Sequence, residues 1–146
     1  MGSVPIFPTA QDAENAFYDS LERGDLDLMM AVWAEDEEIV CVHPAGGRIA
    51  GQEQVRDSWR RMFASGQRLQ IKIAQRVTLS GMMVEVRSVH EVITIVGDEA
   101  ARPPMVATNV YVRTAAGWRM VAHHASPAPE QAADEETTPE PPKLLH

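Results

Sequence analysis

Apolar residues recur along this chain at two different periods, and the change of period divides it. From residue 9 to residue 23, Ala13, Ala16, Phe17, Ser20 and Leu21 fall three to four positions apart, which predicts an amphipathic helix with an alanine-rich face. Thr9, with Asp12 three residues on, is a start signal of the capping-box kind. Gly24 is a stop, because glycine enters a left-handed cap without a Cβ clash. Asp25 then caps a second helix that carries Leu26, Met29, Met30 and Trp33 inward and ends in the acidic run at 35–38. A third helix is read over 50–66, with Val55, Trp59, Met62 and Phe63 as its stripe and Gly66 as its end.

Elsewhere the period is two. The segment "IVCVHPAGGRIAG", residues 39–51, is an apolar strand that runs into a glycine-rich turn, with His43 at its mouth directly before Pro44. In "RLQIKIAQRVTL", Leu69, Ile71 and Ile73 alternate with polar neighbours, so the strand has one wet and one dry face. A Ser80–Gly81 turn leads into the long strand "MMVEVRSVHEVITIV". There Val84 and Val86 share one side, whereas Val89, Ile93 and Ile95 share the other. A bulge near Ser88 would reconcile the two phases and bend the sheet, and it leaves the facing of His90 open. The strand "MVATNVYVRT", an "AAG" turn and the strand "WRMVAHHAS" close the pattern. The expectation is an α+β fold, with three N-terminal helices packed in a curved, mostly antiparallel sheet. Such a sheet makes a cone with a cavity at its open end.

Composition narrows the function classes. The 146 residues suit one ordinary domain, and a net charge of −8 argues against a sequence-independent nucleic-acid surface. No apolar run approaches the roughly 20 residues of a membrane span, so no membrane partner is expected. A single cysteine, Cys41, precludes an internal disulfide and fits a reducing compartment. Placed in an apolar strand, it reads as an inert buried thiol. The start has no basic segment followed by an apolar one, and position 6 is Ile rather than Ser or Thr, so neither a signal peptide nor myristoylation is read and the cytoplasm is expected. The prolines and acids concentrate in 127–146, which holds half of the net charge and is expected to be a disordered tail. The domain is therefore expected over 9–126, behind a short arm at 1–8.

The stretch "AFYDSLERGDLDLMMAVWAEDEEIVCVHPAGGRIAGQEQVRDSW" and the closing "AAGWRMVAHHAS" resemble the nuclear transport factor 2-like superfamily, in its SnoaL-like branch. The "GW" turn followed by His124 and Ser126 is also similar to the association domain of calcium/calmodulin-dependent protein kinase II. The resemblance spans nearly all of residues 9–126 and implies the cone fold. That superfold hosts isomerases, cyclases, dehydratases and pure assembly domains. In the ketosteroid isomerases the general base is an Asp directly before a Pro on this strand, a position that here holds His43 before Pro44. Their oxyanion hole uses a late-strand acid and a first-helix tyrosine. These positions fall on Asn109 and on Phe17, with Tyr18 one residue off register. The resemblance also puts His124 on the cavity side of the last strand and His123 outside.

The candidate site that follows has His43 as acid–base group and Asn109 as hydrogen-bond donor. Phe17, Tyr18, Trp33, Trp59, Tyr111 and His124 are expected to contact a small apolar ligand. Each has a plainer structural reading: a strand-end imidazole for His43, a loop tie for Asn109, a satisfied core histidine for His124, simple core for the tryptophans. Neighbouring strand histidines point apart and no HExxH motif occurs, so neither a metal nor a cofactor is expected. Two functions stand side by side. One is an isomerase-, cyclase- or hydratase-type enzyme acting on a small organic ligand. The other is a non-catalytic binding or oligomerisation module. Either accommodates a homodimer through the sheet face, for which the outward Val106, Val110, Val112 and Val121 are suited.

Overall fold

A computed structural model describes residues 4–98, 100 and 102–129. Helix α1 spans Ala10–Arg23, α2 Leu26–Val32 and α3 Gln52–Phe63. Short strands β1 (Val40–Val42) and β2 (Arg48–Ala50) lie between α2 and α3, and β3 (Leu69–Ser80), β4 (Val84–Ile95), β5 (Met105–Thr114) and β6 (Gly117–Pro127) follow. The local signals act as their chemistry dictates. Thr9 Oγ1 accepts the Asp12 N–H at 3.0 Å, and Asp25 accepts the Leu28 N–H at 3.0 Å, two caps worth about 1 kcal/mol each. Gly24 ends α1 at φ 66°.

The six strands form one mixed sheet in the order β2-β1-β6-β5-β4-β3. All neighbours run antiparallel except β1 and β6, where Val42 pairs with His124 in parallel. The helices lie against one face of this sheet, α1 on β3, β5 and β6, α2 on β6 and α3 on β2. Phe17, Met29, Trp33, Ile39, Val55, Trp59, Val89, Tyr111 and Met120 are all buried there. Burial of each such side chain is worth roughly 1.5–3 kcal/mol. The N-terminal arm adds an edge: Phe7 bridges to Gly117, and its carbonyl accepts the Trp118 N–H at 2.8 Å. Gly117, at φ 91°, permits this approach, because a Cβ there would stand 2.8 Å from that carbonyl oxygen.

Several expectations change. A second short strand, β2, follows the glycine-rich turn. Met62 lies exposed, so the α3 stripe narrows to Val55, Trp59 and the half-buried Phe63. The bulge lies on β3 and not on β4: Ala74 pairs with His90 and Val77 with Ser88, which leaves Gln75 and Arg76 opposite Val89. Gln75 takes φ 51° to make it. β4 itself pairs with β5 without a break from Val84 to Glu91. Its phase change has another cause, since Glu85, Arg87, Val89 and Glu91 face inward and are buried while Val84 and Val86 face out.

A second bulge, at Val121 of β6, lies between the pairs Val110–Ala122 and Tyr111–Met120. It shifts the parity of the strand by one residue. His123 is therefore inward and 3% exposed, and His124 is exposed on the outer face, the reverse of the expectation. The sheet continues to Pro127, and the Ala128 N–H reaches the Pro104 carbonyl at 2.9 Å, so the fold runs past residue 126. The tail beyond residue 129 lies outside the described residues. No described helix is long and apolar enough to cross a membrane.

Candidate functional site

His43 follows β1 and turns back toward α3. The Gly46 N–H donates to the His43 carbonyl at 2.9 Å, which closes the turn and aims the ring inward. The imidazole meets Trp59 edge to face, with ring centroids 4.6 Å apart. Its Nε2 lies 3.1 Å from Ser58 Oγ and 3.7 Å from Cys41 Sγ. Ser58 gives its own proton to the Val55 carbonyl at 2.8 Å, so its oxygen has only acceptor capacity left for the ring. That makes Nε2 the protonated nitrogen of His43 and leaves the lone pair on Nδ1. Burial lowers the His43 pKa from its ordinary 6.5, so the ring is neutral at pH 7. Burial also pushes the Cys41 thiol up to about 12, which removes it as a nucleophile at neutral pH.

Behind this histidine runs a buried chain of four polar side chains. Tyr18 Oη donates to Glu91 Oε2 at 2.6 Å, and Asn109 Nδ2 donates to Tyr18 Oη at 2.9 Å. Asn109 Oδ1 lies 2.6 Å from His123 Nδ1, which is therefore the donor. The elements place these groups by simple register. Asn109 pairs across the sheet with His123, His123 with Cys41, and Tyr18 comes down from α1. Burial pushes Glu91 up to about 7, against the opposing pull of the Tyr18 hydroxyl. Burial, then the Glu91 charge, raises Tyr18 well above the usual phenol range. His123 falls to about 3, first through burial and then through His43 and His124.

A second polar group lies beside the chain, toward β3 and β4. Glu14, on α1, meets Arg76 at 2.5 Å and Arg87 at 3.1 Å, and Arg87 also holds Glu85 at 2.5 Å. Gln11 accepts from Arg87 at 2.8 Å. The β3 bulge is what brings Arg76 inward to Glu14. Tyr111 is fully buried among these charges, and burial raises its pKa first of all causes. Tyr111 Oη, Trp33 Nε1 and Trp59 Nε1 are buried without a hydrogen-bond partner among the described residues.

Of the expected site residues, His43, Phe17, Tyr18, Trp59 and Asn109 come together. Phe17 touches Tyr18, Trp59 and His123 at centroid distances of 4.9, 5.8 and 4.9 Å. Trp33 and Tyr111 are buried one inward row away, beside Met120. His124 does not join them, because the Val121 bulge turns it to an outer groove with Val106, Thr108, Val110, Ala122 and Ser126. His123 takes the inward place. Glu91, Glu14 and Arg87 were not expected. Their signal lay in the sequence all the same: Glu85, Arg87 and Glu91 share one parity, and Gln11, Glu14 and Tyr18 share one helix face. Among the described residues no three His, Cys, Asp or Glu side chains are grouped to hold a metal ion.

Comparison with known proteins adds a family. The profile of the SnoaL-like domain matches residues 11–130. A solved structure from Thiobacillus denitrificans, described as a candidate calcium/calmodulin-dependent protein kinase type II association domain, is 46% identical. It superposes with a TM-score of 0.76 and covers 86% of this chain and 99% of its own. A candidate dehydratase of the nuclear transport factor 2-like family from Streptomyces avermitilis is 28% identical, with a TM-score of 0.75 over 82% of this chain and 94% of its own. A nuclear transport factor 2-like protein of unknown function from Pseudomonas putida shares the fold at 17% identity and a TM-score of 0.73, over 84% of this chain and 87% of its own. No curated protein matches the sequence significantly.

Proposed function

This chain belongs to the SnoaL-like domain family, and on that footing we propose that it binds a small, largely apolar organic molecule in the interior between α1, α3 and the sheet and acts on it by acid–base chemistry. His43 exchanges the proton. Its Nε2–H is engaged by Ser58, so the Nδ1 lone pair is the basic atom. Asn109 has a second amide hydrogen beyond the one given to Tyr18, and offers it to an oxygen that gains charge. Phe17 and Trp59 form the apolar walls. The observation that carries this reading is the imidazole of His43, oriented by Ser58 and seated on Trp59 at the edge of an interior that holds buried polar groups. Apolar cores of this size do not need such groups for stability, and burying them costs free energy unless each is partnered.

The test uses proton exchange. Small ketones and enones are incubated with the full chain in D2O, and ¹H NMR follows loss of the α-protons, double-bond migration or hydration. At least one compound class is expected to react, and His43→Asn to slow it by about 10²–10⁴-fold with binding retained. Because burial lowers the His43 pKa, a rate that needs the neutral ring climbs below pH 6.5 and is flat at neutrality. A panel that neither binds nor exchanges, or a His43→Asn protein as fast as the parent, ends this reading.

A second reading is favoured by the kinase association-domain relative at 46% identity and by the apolar outer face of the sheet, where Leu79 is 72% exposed and Val84 45%. In it the chain is an assembly module that pairs as a homodimer through that face. Sedimentation analysis of the full chain separates monomer from dimer, and a monomer at tens of micromolar would remove it.

A further inference from the structure

We propose that Glu91 is a positioning residue which, through Tyr18 and Asn109, sets which ring nitrogen of His123 carries the proton. It thereby decides whether the nitrogen turned away from Asn109, Nε2, presents a lone pair or a donor to the interior. The inference rests on the reading of that interior as an acid–base site.

Hydrogen-bond direction fixes the order of donors along this chain. With Glu91 ionised, the carboxylate can only accept, so Tyr18 must give it the phenolic proton over 2.6 Å. Tyr18 Oη then has acceptor capacity alone for Asn109, which turns its NH₂ toward Tyr18 at 2.9 Å and its oxygen toward His123. His123 must answer that oxygen with Nδ1–H, and its lone pair falls on Nε2. Every donor in the chain thus points toward Glu91.

A proton added to Glu91 Oε2 reverses the order. Glu91 becomes the donor to Tyr18, Tyr18 turns its hydroxyl to Asn109, and the amide rotates to accept it with Oδ1. Asn109 Nδ2 then donates to His123 Nδ1, which must now be the lone pair, and the ring proton sits on Nε2. The balance is one proton gained by Glu91 from solvent. The single ring proton of His123 leaves Nδ1 and another returns at Nε2 through solvent or ligand, with no other bond made or broken. If only one link reversed, two donors or two acceptors would be left facing each other at 2.6–2.9 Å, so the links reverse together.

The surroundings leave Glu91 free to play this part. The titratable and charged groups on the inner side of the elements around it are Glu14, Tyr18 and Glu22 from α1, Arg76 from β3, Glu85 and Arg87 from β4, Tyr111 from β5 and His123 from β6. Arg76 and Arg87 are engaged by Glu14 and Glu85, and Glu22 accepts the Ile71 N–H. Glu91 faces Ile73 and Met105 on its two neighbouring strands, and its polar contact is Tyr18. Burial raises its pKa to about 7, which puts the reversal within reach of an ordinary titration.

The experiment reads ring nitrogens directly. The full chain is labelled with ¹⁵N-histidine, His123 is assigned against a His123→Gln sample, and long-range ¹H–¹⁵N spectra are recorded from pH 5 to 8.5. Protonated and lone-pair nitrogens resonate far apart. In the parent protein His123 is expected to carry its proton on Nδ1 at pH 8.5 and on Nε2 at pH 5, with one transition between. Glu91→Leu removes the acceptor, so Tyr18 turns to Asn109 and the Nε2–H form is expected at every pH. In Tyr18→Phe the link is cut and the pH dependence vanishes. One unchanged tautomer across the titration of the parent protein overturns the proposal, whether or not the Glu91 and Tyr18 variants fold. So does a folded Glu91→Leu protein that keeps Nδ1–H. Failure of the exchange assay would end the acid–base reading while leaving this tautomer result intact, so the two can fail separately.

Discussion

Along β4 and β5 the inner face of the sheet carries Glu85, Arg87, Glu91, Asn109 and Tyr111, whereas the outer face of the same strands carries Val84, Val86, Val92, Val106, Val110 and Val112. The usual sorting of polar residues to water is inverted over this patch. Apart from the Tyr111 hydroxyl, the inner groups are tolerated because they are paired, with Glu14, Glu85, Arg76 and Arg87 as one set and Glu91, Tyr18, Asn109 and His123 as another. The outer valines have no such compensation within the described residues, and a second copy of the sheet is the reading that would supply it. The two faces therefore differ in what a substitution should do. An inner change leaves a stranded polar group, while an outer change alters the surface on offer to a partner.

The largest effect is expected where the inner pairing is broken outright. Glu14→Ala strands Arg87, whose side chain is only 9% exposed, without one of its two carboxylates. A loss of about 3–5 kcal/mol is expected in urea denaturation, while a loss under about 1 kcal/mol would mean that Glu85 and Gln11 hold Arg87 unaided.

Next comes the pH dependence of stability, where two inner groups oppose each other. Glu91 has a folded pKa of about 7 against an ordinary 4.5, so the folded state binds its proton more tightly and stability falls as pH rises from 4.5 to 7, by about 3 kcal/mol in all. His123 has a folded pKa of about 3 against 6.5, so its neutral form favours folding above 6.5, and that contribution is lost as pH falls toward 3. Between 4.5 and 6.5 the two slopes nearly cancel, and a flat profile is expected for the parent protein. Glu91→Leu should expose a stability that rises with pH across that window, and His123→Gln one that falls. Parallel profiles for the two variants would contradict the assignment.

The smallest effect on stability belongs to the outer face. Val110→Glu is expected to change the unfolding free energy of the monomer by no more than about 0.5 kcal/mol. If the face is an interface, the same substitution turns a dimer into a monomer in sedimentation analysis. A dimer that survives it would place any interface elsewhere.

Much of the fold was legible in the chain because its signals are local. Thr9, Gly24 and Asp25 cap helices whatever lies around them, and the periods of 3.6 and 2 follow from backbone geometry. The shift in apolar phase on β4 was also legible, but its cause was not. A valine at 84 or 86 looks the same in sequence whether it faces the core or a partner, and a Glu85 or Arg87 reads as exposed until Glu14 and Arg76 are seen opposite. Of the site, His43, Tyr18 and Asn109 were within reach, and their links to Glu91 and His123 were not, because these span 73, 91 and 14 residues of chain.

The sequence by itself determined the α+β architecture, the capped helices, the strand run and a histidine at the end of β1. It could not decide between His123 and His124. Parity along a strand holds only while the strand is regular, and the residue at which β6 bulges is set by its hydrogen-bond register with β5. That register is a contact between segments, so only the tertiary structure decided that Val121 takes up the extra residue, that His123 turns inward to Asn109 and that His124 faces out.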